Sequence, residues 1–397
     1  MRDTDYDVAV VGAGPAGSTV AHMLAENGLH VALIERRKTI GVPIQCGEYF
    51  PTSTECADLF PYSSRAKRIA CIPSRFVTNQ TYWTHLVSPF GNRTRFRFKA
   101  NIIDRKLYDK HLVDEAIDSG AELYLDSSVA KRSSSNKLKI RKGNSTRTLS
   151  ARVVVGADGP NSMISRSIGN ILDSSAVSHS IQFVVKNTHC NPDVTEMYFG
   201  EQIAPGGYAW IIPKGDGRVN FGLGLRQHFN KFNTPLRVLL QHLMKHNPLI
   251  SPLMRGGEIE QRVSALIPIG GPVGRTFSNN VLLVGDAASH VMASNGGGIP
   301  TAIIGGEIAA ETILDHFSKS TPLSDYALRW TSEIGQTLSS AVAVRNIADS
   351  VLSNDIVTHI CMSLAGPYLL ESLIRCRLPF AVKLGSKILI PLTRILN

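Results

Sequence analysis

With 397 residues, 43% of them hydrophobic and 19% charged, the chain has a globular composition and room for two domains or one large composite. No uncharged apolar run approaches the roughly 18 residues of a membrane span, and the polar N-terminus passes straight into a strand-like run, so neither a transmembrane helix nor a signal peptide is expected. The net charge of +10 invites an anionic partner, but no zinc-finger or RNA-binding pattern accompanies it and nucleic acid is not expected. The six scattered cysteines, with no C-x-x-C pair, speak against a disulfide framework and a zinc site and suit a reducing cytoplasm.

The chain opens on Tyr6-Asp7-Val8-Ala9-Val10-Val11-Gly12-Ala13-Gly14-Pro15-Ala16-Gly17-Ser18. Small and β-branched apolar residues end at Gly12, three glycines follow as G-x-G-x-x-G, and Ala21, Leu24 and Ala25 then recur at helical spacing. This predicts strand, tight turn and helix. Gly12 permits the turn, Gly14 lets a pyrophosphate approach the backbone, and Gly17 lets helix and strand pack closely. The helix N-terminus adds free N–H groups and a favourable dipole. Glu35 closes a second apolar run at residues 31–34, about where a carboxylate meets a ribose hydroxyl and disfavours a 2′-phosphate. FAD or NAD is therefore expected rather than NADP.

Residues 41–48 form a Pro/Gly-bounded loop, and 49–74 read as irregular around Pro51, Pro61 and Pro73. Residues 81–87 and 94–98 are expected as a hairpin, with Arg93, Arg95, Arg97 and Lys99 alternating along its second arm. They belong to a stretch, 61–110, that sets eleven Lys/Arg against Asp104 and Asp109. It suits an acidic protein, anionic lipid head groups or simply a solvated, charge-protected edge. A helix is predicted over 104–119, stopped by Gly120, then strands at 121–125, 137–141 and 147–155. A second marker ends the last of these, Val155-Gly156-Ala157-Asp158-Gly159. Short strands at 180–186, 195–200, 208–212, 219–225 and 258–268, with a helix near 234–246, predict an antiparallel sheet inserted into the first domain. The third marker is Val284-Gly285-Asp286-Ala287-Ala288, followed by Asn295-Gly296-Gly297-Gly298 and an apolar helix over 299–317. The remainder is mostly helical and ends in residues 373–396, where Arg375, Arg377, Lys383, Lys387 and Arg394 punctuate apolar residues.

Three markers in this order resemble the FAD-containing hydroxylase-type flavoproteins. Two further pieces resemble the geranylgeranyl reductase family: Pro43-Ile44-Gln45-Cys46-Gly47-Glu48, similar to its P-x-x-C-G-E, and Tyr208-Ala209-Trp210-Ile211-Ile212-Pro213-Lys214-Gly215, similar to its Y-x-W-x-F-P-K-G. Gly296-Gly297-Gly298-Ile299 matches as well. The resemblance covers residues 5 to about 317. Departures are Ala293 where many relatives carry proline, Pro300 in the following helix, Ile212 for an aromatic, and Gln45 where arginine is frequent.

The resemblance implies an α/β architecture. A three-layer Rossmann-like FAD domain is assembled from 1–75, 99–172 and 274–320, with an antiparallel substrate domain from 76–98 and 173–273 and a helical region over 321–397. It places Gly12, Gly14, Pro15, Ala16 and Gly17 at the FAD pyrophosphate and Glu35 at the ribose. Arg36 and Arg105 lie beside the cofactor, and Asp286 binds the ribityl chain or pyrophosphate unless it only caps a helix. Gly297, Gly298 and Ile299 open a helix toward the flavin, whose reduced anion that N-terminus would stabilise. Cys46 and Gly47 come near the flavin ring, where the Cys46 thiol either donates a proton, shields the ring from oxygen or is inert. Tyr208, Trp210 and Ile212 share one sheet face and suit a hydrocarbon wall, or ordinary core; Lys214 and Gly215 are expected in the turn that follows. Asp158 either orders its turn behind the cofactor or contacts the flavin directly, and His290 is read as a hydrogen-bonded structural histidine ahead of an acid. No metal is expected.

The implied reaction is FAD-dependent reduction of carbon–carbon double bonds in geranylgeranyl chains of archaeal-type lipids, a hydride from flavin N5 being joined by a proton. A flavin monooxygenase and an electron-transfer protein share the fold. The implied partners are an isoprenoid lipid and a reduced donor (ferredoxin, NADPH or another carrier), in a cytoplasmic protein whose basic C-terminal helices either lie on a membrane surface or pack against the flavin domain.

Overall fold

The computed structural model describes residues 5–133, 137–171, 173–231 and 233–378. It begins with strand β1 (Tyr6–Val11), helix α1 (Pro15–Glu26) and strand β2 (Val31–Ile34), as expected. The chain then leaves for β3 (Tyr49–Pro51), α2 (Ser53–Leu59), α3 (Ala66–Ile69) and the hairpin β4 (Val77–Val87) and β5 (Arg93–Ile103). It returns through α4 (Arg105–Asp118), β6 (Glu122–Tyr124), β7 (Ser128–Arg132), β8 (Lys137–Lys142), β9 (Ser145–Gly156) and α5 (Met163–Ser167). A second excursion adds β10 (Val177–Lys186), β11 (Val194–Tyr198), β12 (Tyr208–Gly215), β13 (Arg218–Leu225), α6 (Leu236–His246) and β14 (Glu258–Pro268). The last return gives β15 (Phe277–Ser278), β16 (Val281–Leu283) and α7 (Ile299–Lys319), and α8 (Asp325–Trp330), α9 (Gln336–Val351) and α10 (Asp355–Ile374) follow.

One sheet runs β15-β16-β9-β1-β2-β6, with β7 and β8 extending β9. Strand β1 lies parallel between β2 and β9, pairing Val11 with Ile34 on one side and Gly156 on the other. Burial on both faces explains its apolar run from Val8 to Val11. Val8 and Val10 face Leu24 of α1 and Ile304 and Ile308 of α7, while Ala9 and Val11 face Ile140, Leu149 and Ile164. The β7–β8–β9 ribbon and α5 therefore form the layer opposite the helices. Helix α4 starts where the Asp104 carboxylate accepts the Leu107 N–H at 3.0 Å, an N-cap.

The other sheet runs β14-β10-β13-β12-β11-β4-β5-β3. Its strands alternate as a sheet with two covered faces should: Ala209 and Ile211 of β12 enter the core under α6, whereas Trp210 and Ile212 meet Ile102, Tyr49 and Tyr208 on the opposite face.

Several features depart from expectation. Strand β3 and helix α2 occupy a stretch expected to be irregular, and β7 was not foreseen. Although residues 49–51 and 99–103 were assigned to the first domain, β3 and the end of β5 belong to the second sheet. That sheet is not wholly antiparallel either. Strands β11 and β4 run parallel, Val194 beside Trp83, because the connection between them passes through the first sheet. Of the basic C-terminal stretch, residues 379–397 lie outside the described residues.

Candidate active site

The turns after β1, β9 and β16 meet because these strands are neighbours in one parallel register. Gly12 sits at φ +105°, and a Cβ there would lie 2.2 Å from the Ala157 carbonyl oxygen. A Cβ on Gly17 would lie 1.9 Å from the Gly12 carbonyl oxygen. Both glycines are demanded by packing. Gly14 is different: nothing lies within 4 Å of its Cβ position, and it starts α1 without a side-chain cap, with Pro15 in the first turn. The helix N-terminus therefore opens onto free space. Ala16 packs against Gly285 and Gly306, joining α1 to the third marker and to α7.

Glu35 is buried, with Oε2 accepting the Ala13 N–H and Oε1 the Arg37 N–H, each at 2.9 Å. Its carboxylate is thus fixed at the edge of the glycine turn. Arg36 is exposed and makes no hydrogen bond or ion pair among the described residues. Its neighbour Arg37 does: it hydrogen-bonds Gln45 and lies in the fields of Glu35, Arg105 and Asp109, and burial lowers its pKa. Arg37 is the residue sequence reading missed here.

Arg105, at the first turn of α4, is held by Asp109 through Nε at 2.7 Å and Nη2 at 2.8 Å. From there its charge reaches both the Cys46 thiol and the Asp286 carboxyl. Burial pushes the Asp286 carboxyl up to about 6, and Arg105 opposes the shift. Asp286 Oδ1 lies 3.5 Å from the Cβ position of Gly298, the residue that caps α7. Its carboxylate accepts no hydrogen bond among the described residues, so the helix-cap alternative is not what the geometry gives. The Gly297 N–H donates to Asn295 Oδ1 at 2.9 Å, and Ile299 is buried at the start of α7.

The Cys46 loop and strand β12 are tied together. Gln182 Nε2 and Asn220 Nδ2 donate to the Cys46 carbonyl oxygen at 2.9 and 3.2 Å. Trp210 Nε1 donates to Asn220 Oδ1 at 2.9 Å, so the tryptophan is one residue removed from the cysteine. A Cβ on Gly47 would lie 3.1 Å from Ile212 Cδ1. Lys214 pairs with Glu48, which is 1% exposed and whose other carboxylate oxygen has no partner among the described residues. Lys214 therefore belongs to the strand and not to the turn after it, which is made by Asp216 and Gly217. The Glu48 N–H donates to Cys46 Sγ at 3.2 Å. Burial pushes the half-buried Cys46 thiol up, opposed by Arg105 and by that N–H. At the other end of the strand, Tyr208 Oη donates to the Asn295 carbonyl oxygen at 2.5 Å, linking β12 to the glycines before α7.

Two further expectations can be placed. Asp158 orders its turn, accepting the Ser162 hydroxyl and the Met163 and Ile164 N–H groups. His290 is fully buried against Trp330, but neither ring nitrogen has a partner among the described residues, so it is a packed and not a hydrogen-bonded histidine. Burial lowers its pKa to about 3. Asn220 carried a legible signal, a lone amide in the run Val219–Leu225, whereas Gln182, equally buried, sits in a strand with Ser178, His179 and Ser180 and carried none. Among the described residues no cluster of three His, Cys, Asp or Glu is placed to hold a metal.

The chain is similar to known proteins along most of its length. Residues 176–256 match the family described as the geranylgeranyl reductase catalytic domain, and 10–63 an NAD(P)-binding Rossmann-like domain. Digeranylgeranylglycerophospholipid reductase 2 of Methanopyrus kandleri is 32% identical over 363 residues, 88% of each chain. The enzyme of the same name from Methanothermobacter thermautotrophicus is 32% identical over 87% of this chain and 88% of its own. Among solved structures, a geranylgeranyl bacteriochlorophyll reductase-like protein from Thermoplasma acidophilum superposes with a TM-score of 0.82 at 25% identity, covering 96% of this chain and 98% of its own.

Proposed function

Since the chain belongs to the geranylgeranyl reductase family, we propose that it uses FAD to reduce carbon–carbon double bonds in the geranylgeranyl chains of archaeal-type membrane glycerolipids, with Cys46 and β12 as the reacting face. The observation that carries this reading is the bonding of the Cys46 loop to the Tyr208–Gly215 strand through Asn220 and Lys214, with Gln182 of β10 holding the same Cys46 carbonyl. One constellation thereby holds a thiol beside an aromatic and aliphatic wall.

The residues fit FAD. An uncapped helix N-terminus at Gly14 faces open space, as a pyrophosphate needs. Glu35 offers a fixed carboxylate for ribose hydroxyls, and Asp286, half-buried and with no hydrogen-bond donor to its carboxylate among the described residues, suits a ribityl hydroxyl. Arg105 adds a positive charge between Asp286 and Cys46, and Gly297, Gly298 and Ile299 begin a helix whose N–H groups favour negative charge. When bound and reduced, FAD supplies a hydride to the olefin.

The chain's own residues do the rest. An isolated trisubstituted olefin accepts hydride at one carbon only if a proton reaches the other. Burial keeps the Cys46 Sγ protonated, the form that donates. Asn220 and Gln182 fix its backbone, and Glu48 orients its sulfur. Tyr208, Trp210 and Ile212 hold the hydrocarbon and exclude water.

In this account the first sheet and α7 carry the cofactor and the second sheet the lipid. Electrons arrive from a reduced carrier, ferredoxin, NADPH or another. The protein works in the cytoplasm at the membrane face, a reducing compartment that its six scattered cysteines suit. The test is mass spectrometry after anaerobic incubation of dithionite-reduced protein with a geranylgeranyl glycerolipid. Products heavier by one hydrogen molecule per bond reduced are expected. Unreduced lipid, with an aromatic substrate gaining oxygen in air with NADPH, would give the site to a monooxygenase.

A further inference from the structure

Helix α10 is the one described helix long and apolar enough to cross a membrane by length and composition. It does not cross one with both sides free. Thr358 and Met362 are buried, and Met362 and Leu370 join the core that contains Phe96 and Phe98 of β5. The opposite side is bare: Ile356 is 61%, Ile360 49% and Leu364 82% exposed, and Val357 lies exposed beside them. At 3.6 residues per turn these four side chains fall within an arc of about 100°. All precede the break at Gly366 (φ +67°) and Pro367; beyond it Tyr368 is exposed too.

The tip of the β4–β5 hairpin lengthens the stripe. Ser88 Oγ lies 2.9 Å from His359 Nδ1, and Asn92 Nδ2 donates to Ser363 Oγ at 3.0 Å, docking the hairpin beside the helix. Phe90, itself exposed, packs edge-on to His359. A contiguous apolar surface of this kind on a soluble fold marks a contact.

Its flanks say with what. The hairpin continues into Arg93, Arg95 and Arg97, all exposed, and the sequence that follows the helix, residues 379–397, carries Lys383, Lys387 and Arg394 and no acidic residue. An apolar stripe on one side of a helix, with the exposed Arg93, Arg95 and Arg97 on the strand docked beside it, is the pattern of a helix lying in the plane of an anionic bilayer. We infer that the Ile356–Ile360–Leu364 face of α10, with Phe90, docks this protein flat on an anionic lipid bilayer. The inference rests on the reductase reading only for its purpose, since a glycerolipid carrying geranylgeranyl chains stays in the membrane and must be met there.

Full-length, FAD-loaded protein is sedimented with vesicles of phosphatidylglycerol and phosphatidylcholine, and with vesicles of phosphatidylcholine alone. Binding to the anionic vesicles is expected to be at least tenfold the stronger. The double substitution Ile360→Glu with Leu364→Glu should lower it at least tenfold, with FAD content and turnover of detergent-dispersed lipid unchanged. Undiminished binding of the variant, or none by the wild type, overturns the inference. So does a wild-type dimer that the substitutions split into monomers while vesicles are ignored, for then the face joins two copies. Vesicle binding without reduction of dispersed lipid removes the reductase reading and leaves the docking face; reduction without vesicle binding does the reverse.

Discussion

The pair between Glu48 and Lys214 is the joint between the two family motifs, and removing one partner should expose its weight. Glu48 is 1% exposed, Lys214 is largely covered, and the second Glu48 oxygen already lacks a partner. Lys214→Met therefore strands a buried carboxylate with neither oxygen satisfied. Breaking a buried pair in this way costs about 3–5 kcal/mol, whereas replacing both partners by groups of similar shape is often nearly neutral. Lys214→Met should consequently be destabilised by about 3–5 kcal/mol, and Glu48→Gln with Lys214→Met should recover most of the loss. The assay is denaturant unfolding of the FAD-loaded protein, comparing midpoints at constant slope. Because the Glu48 N–H also orients Cys46 Sγ, lipid reduction should fall in the single variant with FAD content kept. A loss below about 1 kcal/mol, the size of an exposed pair, or a double variant as unstable as the single, would refute the reasoning.

Gly14→Val should leave the apoprotein folded and colourless, since only ligand space is filled, while Gly17→Val should also unfold it because its Cβ meets backbone; equal loss of stability in both would contradict this. Asp286 has a raised pKa of about 6 in the folded chain, so its contribution is fully present below the ordinary carboxylate value and lost as pH rises through about 6. Stripped of FAD, Asp286→Asn should then be the more stable protein at pH 7.5, by up to about 3 kcal/mol, with the advantage fading toward pH 4 in thermal melts, and should bind FAD more weakly. His290 has the opposite sign: its pKa, lowered to about 3, gives stability above the ordinary histidine value that is lost as pH falls toward 3. His290→Leu should shift acid unfolding to lower pH, and an unchanged acid profile would count against a neutral, unpartnered imidazole.

The cofactor half of the molecule was legible because its signals are local. An apolar run closed by glycine is what a strand buried on both faces and ending at a phosphate turn must look like, and Gly12 and Gly17 have steric duties that no other residue can perform. The strand Tyr208–Gly215 alternated as read, and its large residues do share a face. What the sequence hid was long-range. Nothing local announces that Lys214 will meet Glu48 across 166 residues, or that Asn220 will stand between Trp210 and Cys46. Arg36 and Arg37 are indistinguishable by composition, and only the bend after Ile34 turns one outward and the other toward Gln45. The short strands β3 and β7 lack the length for a pattern, and the parallel pairing of β11 with β4 depends on the whole path of the chain.

The central claim is that electrons held by this protein go to an olefin. Dithionite-reduced protein, freed of excess reductant, is mixed anaerobically with a geranylgeranyl glycerolipid, and flavin absorbance is followed while the lipid is recovered and its double bonds are counted. The account predicts that the flavin reoxidises with one double bond lost per FAD, and that Cys46→Ala, with its FAD retained, slows this by about 10²-fold or more. Flavin that stays reduced beside the lipid until oxygen is admitted, with every double bond intact, would contradict it.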